Sequence, residues 1–263
     1  MFYFFTLICA QIILESFPVS SSGHIILLER FFTTFLHKDL FFISSDKIFS
    51  HFLHGPTVCI IPFFFLHRWI FLLKNIKRCW RIIGKLIFFV LVADSITFLY
   101  FVLFNTFFYR SFFSVGVGFV ISAIALFSLR YKKRKNIEKL DLKKVIILGN
   151  IQGLSLLPGL SRFGLTFVSA CWLGIDPKKA FEFSFAIQWP LIAAGFLKSI
   201  VLLSDGQRYS HVPWQNFNFV LIIVSASLVA FFALYFVERL IKAEKVWLFS
   251  VFLLFSFVIW LIV

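Results

Sequence analysis

Acidic residues are scarce in this chain of 263 residues, with 12 Asp and Glu against 26 Lys and Arg, and only 14% of residues are charged. A soluble domain of this size needs far more polar surface, so the shortage excludes an exterior that faces water. Cysteine is sparse too. Cys9, Cys59, Cys79 and Cys171 have no metal-ligand spacing, which argues against a disulfide framework, and we read them as small packing residues. The opening run MFYFFTLICAQ lacks a basic segment and a small-residue cleavage site, so it reads as part of the mature fold and not as a cleaved signal. What the chain has in excess is grease: 60% hydrophobic residues, 41 of them phenylalanine, and a mean hydropathy of +0.95. This is the composition of an all-α polytopic membrane protein. The net charge of +14 does not imply a nucleic-acid partner. The basic residues crowd into short loops between apolar runs, where they set topology and meet anionic headgroups.

Six apolar segments are long enough to cross a hydrocarbon core of ~30 Å, at 48–67, 86–104, 111–129, 181–203, 217–237 and 246–263. Two regions differ. Residues 2–36 and 145–175 are each a pair of short apolar arms around a polar break, and arms of that length suit re-entrant hairpins better than full spans. The loops 68–85, 130–144, 176–180 and 238–245 carry 19 Lys and Arg, whereas 37–47, 105–110 and 204–216 carry 4. That asymmetry holds only if both hairpins return to their own side. It puts the basic loops in the cytoplasm and both termini outside. The expected architecture is an inverted-topology repeat. The first repeat, 1–129, and the second, 145–263, each consist of a hairpin and three spans, joined by the basic loop 130–144. Weak symmetry agrees: Gln11 precedes Pro18 as Gln152 precedes Pro158, Pro18–Ser21 pairs with Pro158–Ser161 as P-x-x-S, and His54–Gly55–Pro56 pairs with Gln188–Trp189–Pro190.

The two breaks read ESFPVSSSGH, residues 15–24, and PGLSRFGLT, residues 158–166. Tips entering from opposite faces would meet near the midplane around one wet cavity, with helix N-termini suited to phosphate. Arg162 offers a planar, permanently charged fork for phosphate oxygens, and Ser161 and Thr166 offer hydroxyls; a structural ion pair for Arg162 and helix capping for Thr166 are the plainer readings. Glu15 is costly in an apolar helix without a function. Gln11, one turn earlier, makes with it an oxygen pair suited to a divalent cation, Mg²⁺ or Ca²⁺. Ser20, Ser21 and Ser22 offer a nucleophile, and His24 is close enough in sequence to serve as its base or as a proton donor. Asp94, His51 and His54 are further candidates for the cavity wall.

These two stretches resemble the signature motifs of the bacterial undecaprenyl-diphosphate phosphatases of the bacitracin-resistance type. The first motif is matched by Gln11, Glu15, Pro18, Ser20, Ser21, Gly23 and His24, and the second by Pro158, Gly159, Ser161, Arg162 and Thr166. The likeness runs along essentially the whole chain. Two positions depart from the pattern: Phe163 stands where a serine is usual, and Gln11 where glutamate is more common. The resemblance implies a multi-pass protein of the bacterial inner membrane with its site open to the outer face. The implied reaction removes the terminal phosphate of undecaprenyl diphosphate, regenerating the lipid carrier of peptidoglycan synthesis and conferring bacitracin resistance. It implies Ser21, His24 and Glu15 as catalytic residues, and Arg162, Ser161, Thr166 and Ser20 around the phosphates. Glu15 and Gln11 would hold the cation. A homodimer is compatible with such a chain. The rival reading is a secondary transporter or lipid-phosphate flippase, since inverted repeats with broken helices also build carriers. A transporter has no need of a nucleophile beside a base.

Overall fold

The computed structural model describes residues 2–36, 47–107, 114–132, 138–203 and 217–263. Among them there is no strand. The helices are α1 (Phe2–Leu14), α2 (Ser21–Leu36), α3 (Lys47–Phe52), α4 (Gly55–Phe64), α5 (Leu66–Lys74), α6 (Ile76–Phe107) and α7 (Val115–Ser128), followed by α8 (Leu142–Leu154), α9 (Arg162–Trp172), α10 (Pro177–Leu203), α11 (Phe217–Lys242) and α12 (Phe249–Ile262). The protein is thus all-helical and multi-pass. Large apolar side chains such as Phe98, Ile124, Phe255 and Leu261 are more than half exposed, as lipid-facing residues must be.

Among the described residues three helices are long and apolar enough to cross a membrane, Ile76–Phe104, Pro177–Leu202 and Asn218–Lys242, and Ile48–Phe64 with Leu66–Lys74 makes a fourth if taken as one span bent by 54°. Hydropathy predicts six. The segments expected at 111–129 and 246–263 form the shorter stretches Val115–Tyr131 and Val246–Ile262. Each is 14 residues of α-helix joined to a 3₁₀ turn, so the α-helical part rises only about 21 Å. Residues 111–113 and most of the expected outer loops, 37–46 and 204–216, lie outside the described residues.

Proline explains the bend. Pro62 sits inside α4 and has no N–H for the carbonyl of Val58 four residues earlier. That carbonyl accepts instead from Trp189 Nε1 at 2.9 Å, and the chain turns off axis at Phe65. Trp189 precedes Pro190, the proline inside α10, so the two proline-interrupted helices are tied to each other at the centre. The start of α10 follows from Asp176, whose Oδ1 accepts from the N–H groups of Lys178 and Lys179 at 3.1 and 3.2 Å, with Pro177 set for the first turn.

The hairpins α1/α2 and α8/α9 pack at the middle of the bundle. α1 lies against α11 and α8 against α6, α7 against α12, and α10 against α3 and α4. Fully buried Phe49, Phe119, Phe167, Phe181 and Phe185 fill the space between them.

Candidate active site

Each hairpin ends in a turn that uncoils without stranding its backbone. After α1, Glu15, Ser16 and Phe17 donate to Gln11, Ile13 and Leu14 at 3.1–3.3 Å; after α8, Ser155, Leu156 and Leu157 donate to Ile151, Gly153 and Leu154 at 3.0–3.2 Å. The second arm of each hairpin then opens on a serine cap. Ser20 Oγ accepts from Gly23 N at 3.2 Å, and Ser161 Oγ accepts from Gly164 N at 3.0 Å. Pro18–Ser21 and Pro158–Ser161 share P-x-x-S, but the residues that act alike as caps are Ser20 and Ser161. Gln11 and Gln152 then stand the same nine positions ahead of their caps. In that register the proline of the second tip stands one position further from its cap, and Gly159 behind it takes the left-handed region at φ +82°.

The tips interlock. A Cβ on Gly23 would fall 2.9 Å from Gly159 Cα, and one on Gly164 would fall 2.8 Å from the Pro18 carbonyl oxygen. Both glycines are needed because each tip meets the backbone of the other. The two serine-bearing turns therefore share one cavity of about 480 Å³, walled by Glu15, Ser20, Ser21, Ser22, His51 and His54 on one side and Ser161, Arg162 and Gln188 on the other. Phe17, Phe101, Phe104 and Leu156 add an apolar margin.

Glu15 is the anionic centre, and only 5% exposed. The Ser21 hydroxyl donates to its Oε1, Gln11 Nε2 approaches the same oxygen at 3.4 Å, and His54 Nδ1 lies 3.5 Å away. Arg162 is the first residue of α9 and faces the same space. Its guanidinium has no hydrogen-bond or salt-bridge partner among the described residues, so the structural ion pair is not what holds it there. His54 lines the same cavity as Glu15 and Arg162.

Three expected roles meet a different geometry. His24 does not touch Ser21. Its Nδ1 donates to the Ser20 carbonyl at 2.6 Å, its Nε2 lies 2.9 Å from Ser256 Oγ, and Phe119 and Phe252 flank the ring at 4.8 and 5.1 Å. One helical turn beyond the cap, the ring points back into the bundle; the group on the Ser21 hydroxyl is Glu15. Thr166 is 1% exposed and spends its hydroxyl on the carbonyls of Arg162 and Phe163 at 2.8 and 3.1 Å, so it is not on the cavity wall. Gln11 sits behind Glu15, bridging it to His54 with 3.5 Å between Gln11 Nε2 and His54 Nδ1, and does not reach the cavity. Ser20 and Ser161 do line it, as caps. Asp94 lies elsewhere, accepting from Gln152 Nε2 at 3.1 Å.

The donor set bears on the cation. Among the described residues no group of three or more His, Cys, Asp and Glu is placed to hold a metal. One carboxylate facing a cavity fits instead an ion shared with phosphate oxygens of a ligand.

His51 and His54 stand on the cavity wall as expected, whereas Ser256 is the contact that sequence reading passes over, because a serine in an apolar C-terminal helix gives no signal.

Comparison with known proteins places this geometry. Residues 6–259 match the family described as Bacitracin resistance protein BacA. The undecaprenyl-diphosphatase of Carboxydothermus hydrogenoformans is 30% identical over 254 residues, covering 94% of this chain and 89% of that protein. That of Borrelia hermsii is 28% identical over 260 residues, covering 93% and 91%, and undecaprenyl-diphosphatase 3 of Bacillus cereus is 25% identical over 237 residues, covering 88% and 83%. With all but the ends of the chain matched, this protein belongs to the BacA family.

Proposed function

We propose that this chain is an integral membrane phosphatase that hydrolyses undecaprenyl diphosphate to undecaprenyl phosphate and inorganic phosphate. The observation that carries the reading is the Ser21 hydroxyl held on the Glu15 carboxylate, across one cavity from an unpaired Arg162 at a helix N-terminus. Ser21 Oγ attacks the terminal phosphorus as its proton passes to Glu15. The Oγ–P bond forms while the bond from phosphorus to the bridging oxygen breaks, and that oxygen leaves with the electron pair on undecaprenyl phosphate. Glu15 gives its proton to the departing undecaprenyl phosphate and is again a carboxylate. It then takes a proton from water as the water oxygen bonds to phosphorus. The P–Oγ bond breaks, and the same proton passes to Ser21 Oγ as inorganic phosphate leaves. Arg162 and the N-terminal N–H groups of α2 and α9 draw charge from the non-bridging oxygens. A divalent cation bound between Glu15 and the diphosphate would add Lewis-acid polarisation. Gln11 and His54 hold Glu15 in place from behind.

The inverted repeat is the architecture we assign to it, with 2–36 and 145–175 as re-entrant hairpins. Matching caps, glutamines in register and the pairings of α1 with α11 and α8 with α6 support it. The wall residues Ser50, His51, Phe101 and Phe104 adjoin the weakly basic loops, which favours a cavity open to the outer face of the inner membrane. There the activity would return lipid carrier to peptidoglycan synthesis and oppose bacitracin.

The test is phosphate release from undecaprenyl diphosphate by detergent-purified protein. Release that stops with EDTA and returns with Mg²⁺ or Ca²⁺ is expected. No release under any divalent cation would overturn the phosphatase reading and leave the carrier.

A further inference from the structure

We propose that Ser256, near the far end of the chain, is a positioning residue for the phosphatase site, acting through His24 on the first tip. The proposal rests on the phosphatase reading, but the contact it starts from does not. Ser256 Oγ lies 2.9 Å from His24 Nε2 and 2.9 Å from the Phe252 carbonyl oxygen one turn back in α12. Both residues are almost wholly buried. On its other side His24 is tied to the tip itself: ring Nδ1 and backbone N both donate to the Ser20 carbonyl, at 2.6 and 3.1 Å. A carbonyl carries no hydrogen, so Nδ1 must bear the proton. In the neutral ring Nε2 is then an acceptor that needs a donor, and the Ser256 hydroxyl supplies it. With both ring nitrogens protonated, the same hydroxyl accepts from Nε2 and donates to Phe252. Ser256 satisfies either form without any heavy atom moving. What it fixes is the ring, through the ring the Ser20 carbonyl, and through that peptide the start of α2, where Ser21 sits.

An independent observation points the same way. Ser122 Oγ in α7 accepts from the backbone N–H of Ser161 at 3.0 Å. Ser122 is the eighth residue of α7 and Ser256 the eighth of α12, and these two helices pack on each other. Each helix thus brings one buried hydroxyl, at the same depth in its own sequence, to one of the two tips. Nothing in the apolar packing of α7 or α12 requires a serine there.

Ser256→Thr keeps the hydroxyl, and Ser256→Val has the same shape without it. Thr should stay within about threefold of wild-type turnover, while Val should lose about tenfold in kcat with KM changed less than about twofold, since the nucleophile and not ligand affinity is disturbed. In a His24→Asn background, Ser256→Ala should cost no more than about twofold further, because residues acting as one unit are not additive. The second readout is the ring itself. With ¹⁵N-labelled histidine, the His24 Nε2 signal, assigned by its loss in His24→Asn, should shift in Ser256→Val and hold in Ser256→Thr. Ser256→Ala repeats that comparison where the β-branched side chain is not accepted. Equal turnover and equal ring signals for Thr and Val would overturn the proposal, as would additivity with His24→Asn. A wild-type protein that releases no phosphate would count against the phosphatase reading; the ring signals then decide the positioning role by themselves.

Discussion

The two tips are built alike and equipped differently. Both cap the second arm with a serine that receives an N–H three residues on, and both carry a glutamine nine positions before the cap. At the position after the cap, one presents Ser21 and the other Arg162. Five positions before it, one presents Glu15 and the other Leu156. The shared parts are those the backbone needs at membrane depth, where an unsatisfied N–H or C=O is expensive. The parts that differ are those the reaction needs, a hydroxyl on a carboxylate facing a fixed positive charge. Two helix N-termini line one space, and a difference at two positions gives one tip a hydroxyl on a carboxylate and the other a fixed positive charge.

The largest effect that can break this division of labour lies on the first tip. Ser21→Ala and Glu15→Gln should each lower turnover by about 10²-fold or more, the usual scale of nucleophile and proton-transfer losses. The double variant should be little worse than the poorer single one. Phosphate-release kinetics check this, together with acid-quench trapping of phosphoserine, which should vanish in Ser21→Ala. Turnover above about a tenth of wild type in Ser21→Ala would point to direct attack by water, leaving Ser21 as a donor only.

On the second tip the loss should be smaller and of another kind. Arg162 faces the cavity with no hydrogen-bond or salt-bridge partner for its guanidinium among the described residues, which leaves its charge for an anionic ligand. Arg162→Lys keeps the charge but loses the planar fork. It should cost about 10- to 100-fold in kcat/KM and leave phosphoserine trapping intact. Near-wild-type kcat/KM would reduce the second tip to scaffolding.

How much of this was legible beforehand differs between the tips and their surroundings. Proline, glycine and serine breaking an apolar run mark a turn by their own chemistry, and a carboxylate or arginine inside such a run is too costly to be idle. Glu15, Ser21 and Arg162 were therefore readable, and so was their meeting. The direction of a side chain one helical turn past a cap was not. His24 lies within hydrogen-bonding reach of Ser21 by sequence distance alone, yet its ring meets Ser256, 232 residues away. Hydropathy registers how apolar Val115–Tyr131 and Val246–Ile262 are but not that each is partly 3₁₀ turn. The bend at Phe65, beyond Pro62, was not anticipated in the segment 48–67. Its acceptance by the fold depends on Trp189, which only the packing of α10 on α4 reveals.

The smallest predicted effect separates motif membership from contact. Thr166 belongs to the PGLSRFGLT stretch as surely as Arg162 does, but its hydroxyl donates inside its own helix, to the carbonyls of Arg162 and Phe163. Those carbonyls lie in the first turn of α9, where they also serve as helix acceptors, so a back-bonded hydroxyl there adds little. Thr166→Val preserves the shape of a buried side chain and removes only that hydrogen bond, a change worth about 1 kcal/mol in stability. Turnover should stay within about threefold of wild type, whereas loss of a direct phosphate contact would cost about tenfold or more. Measured side by side with Arg162→Lys, a loss of that larger size in Thr166→Val would mean that α9 turns its buried face toward the phosphates during the reaction. The second tip would then move as it works, and the resemblance between the tips would extend only to their resting forms.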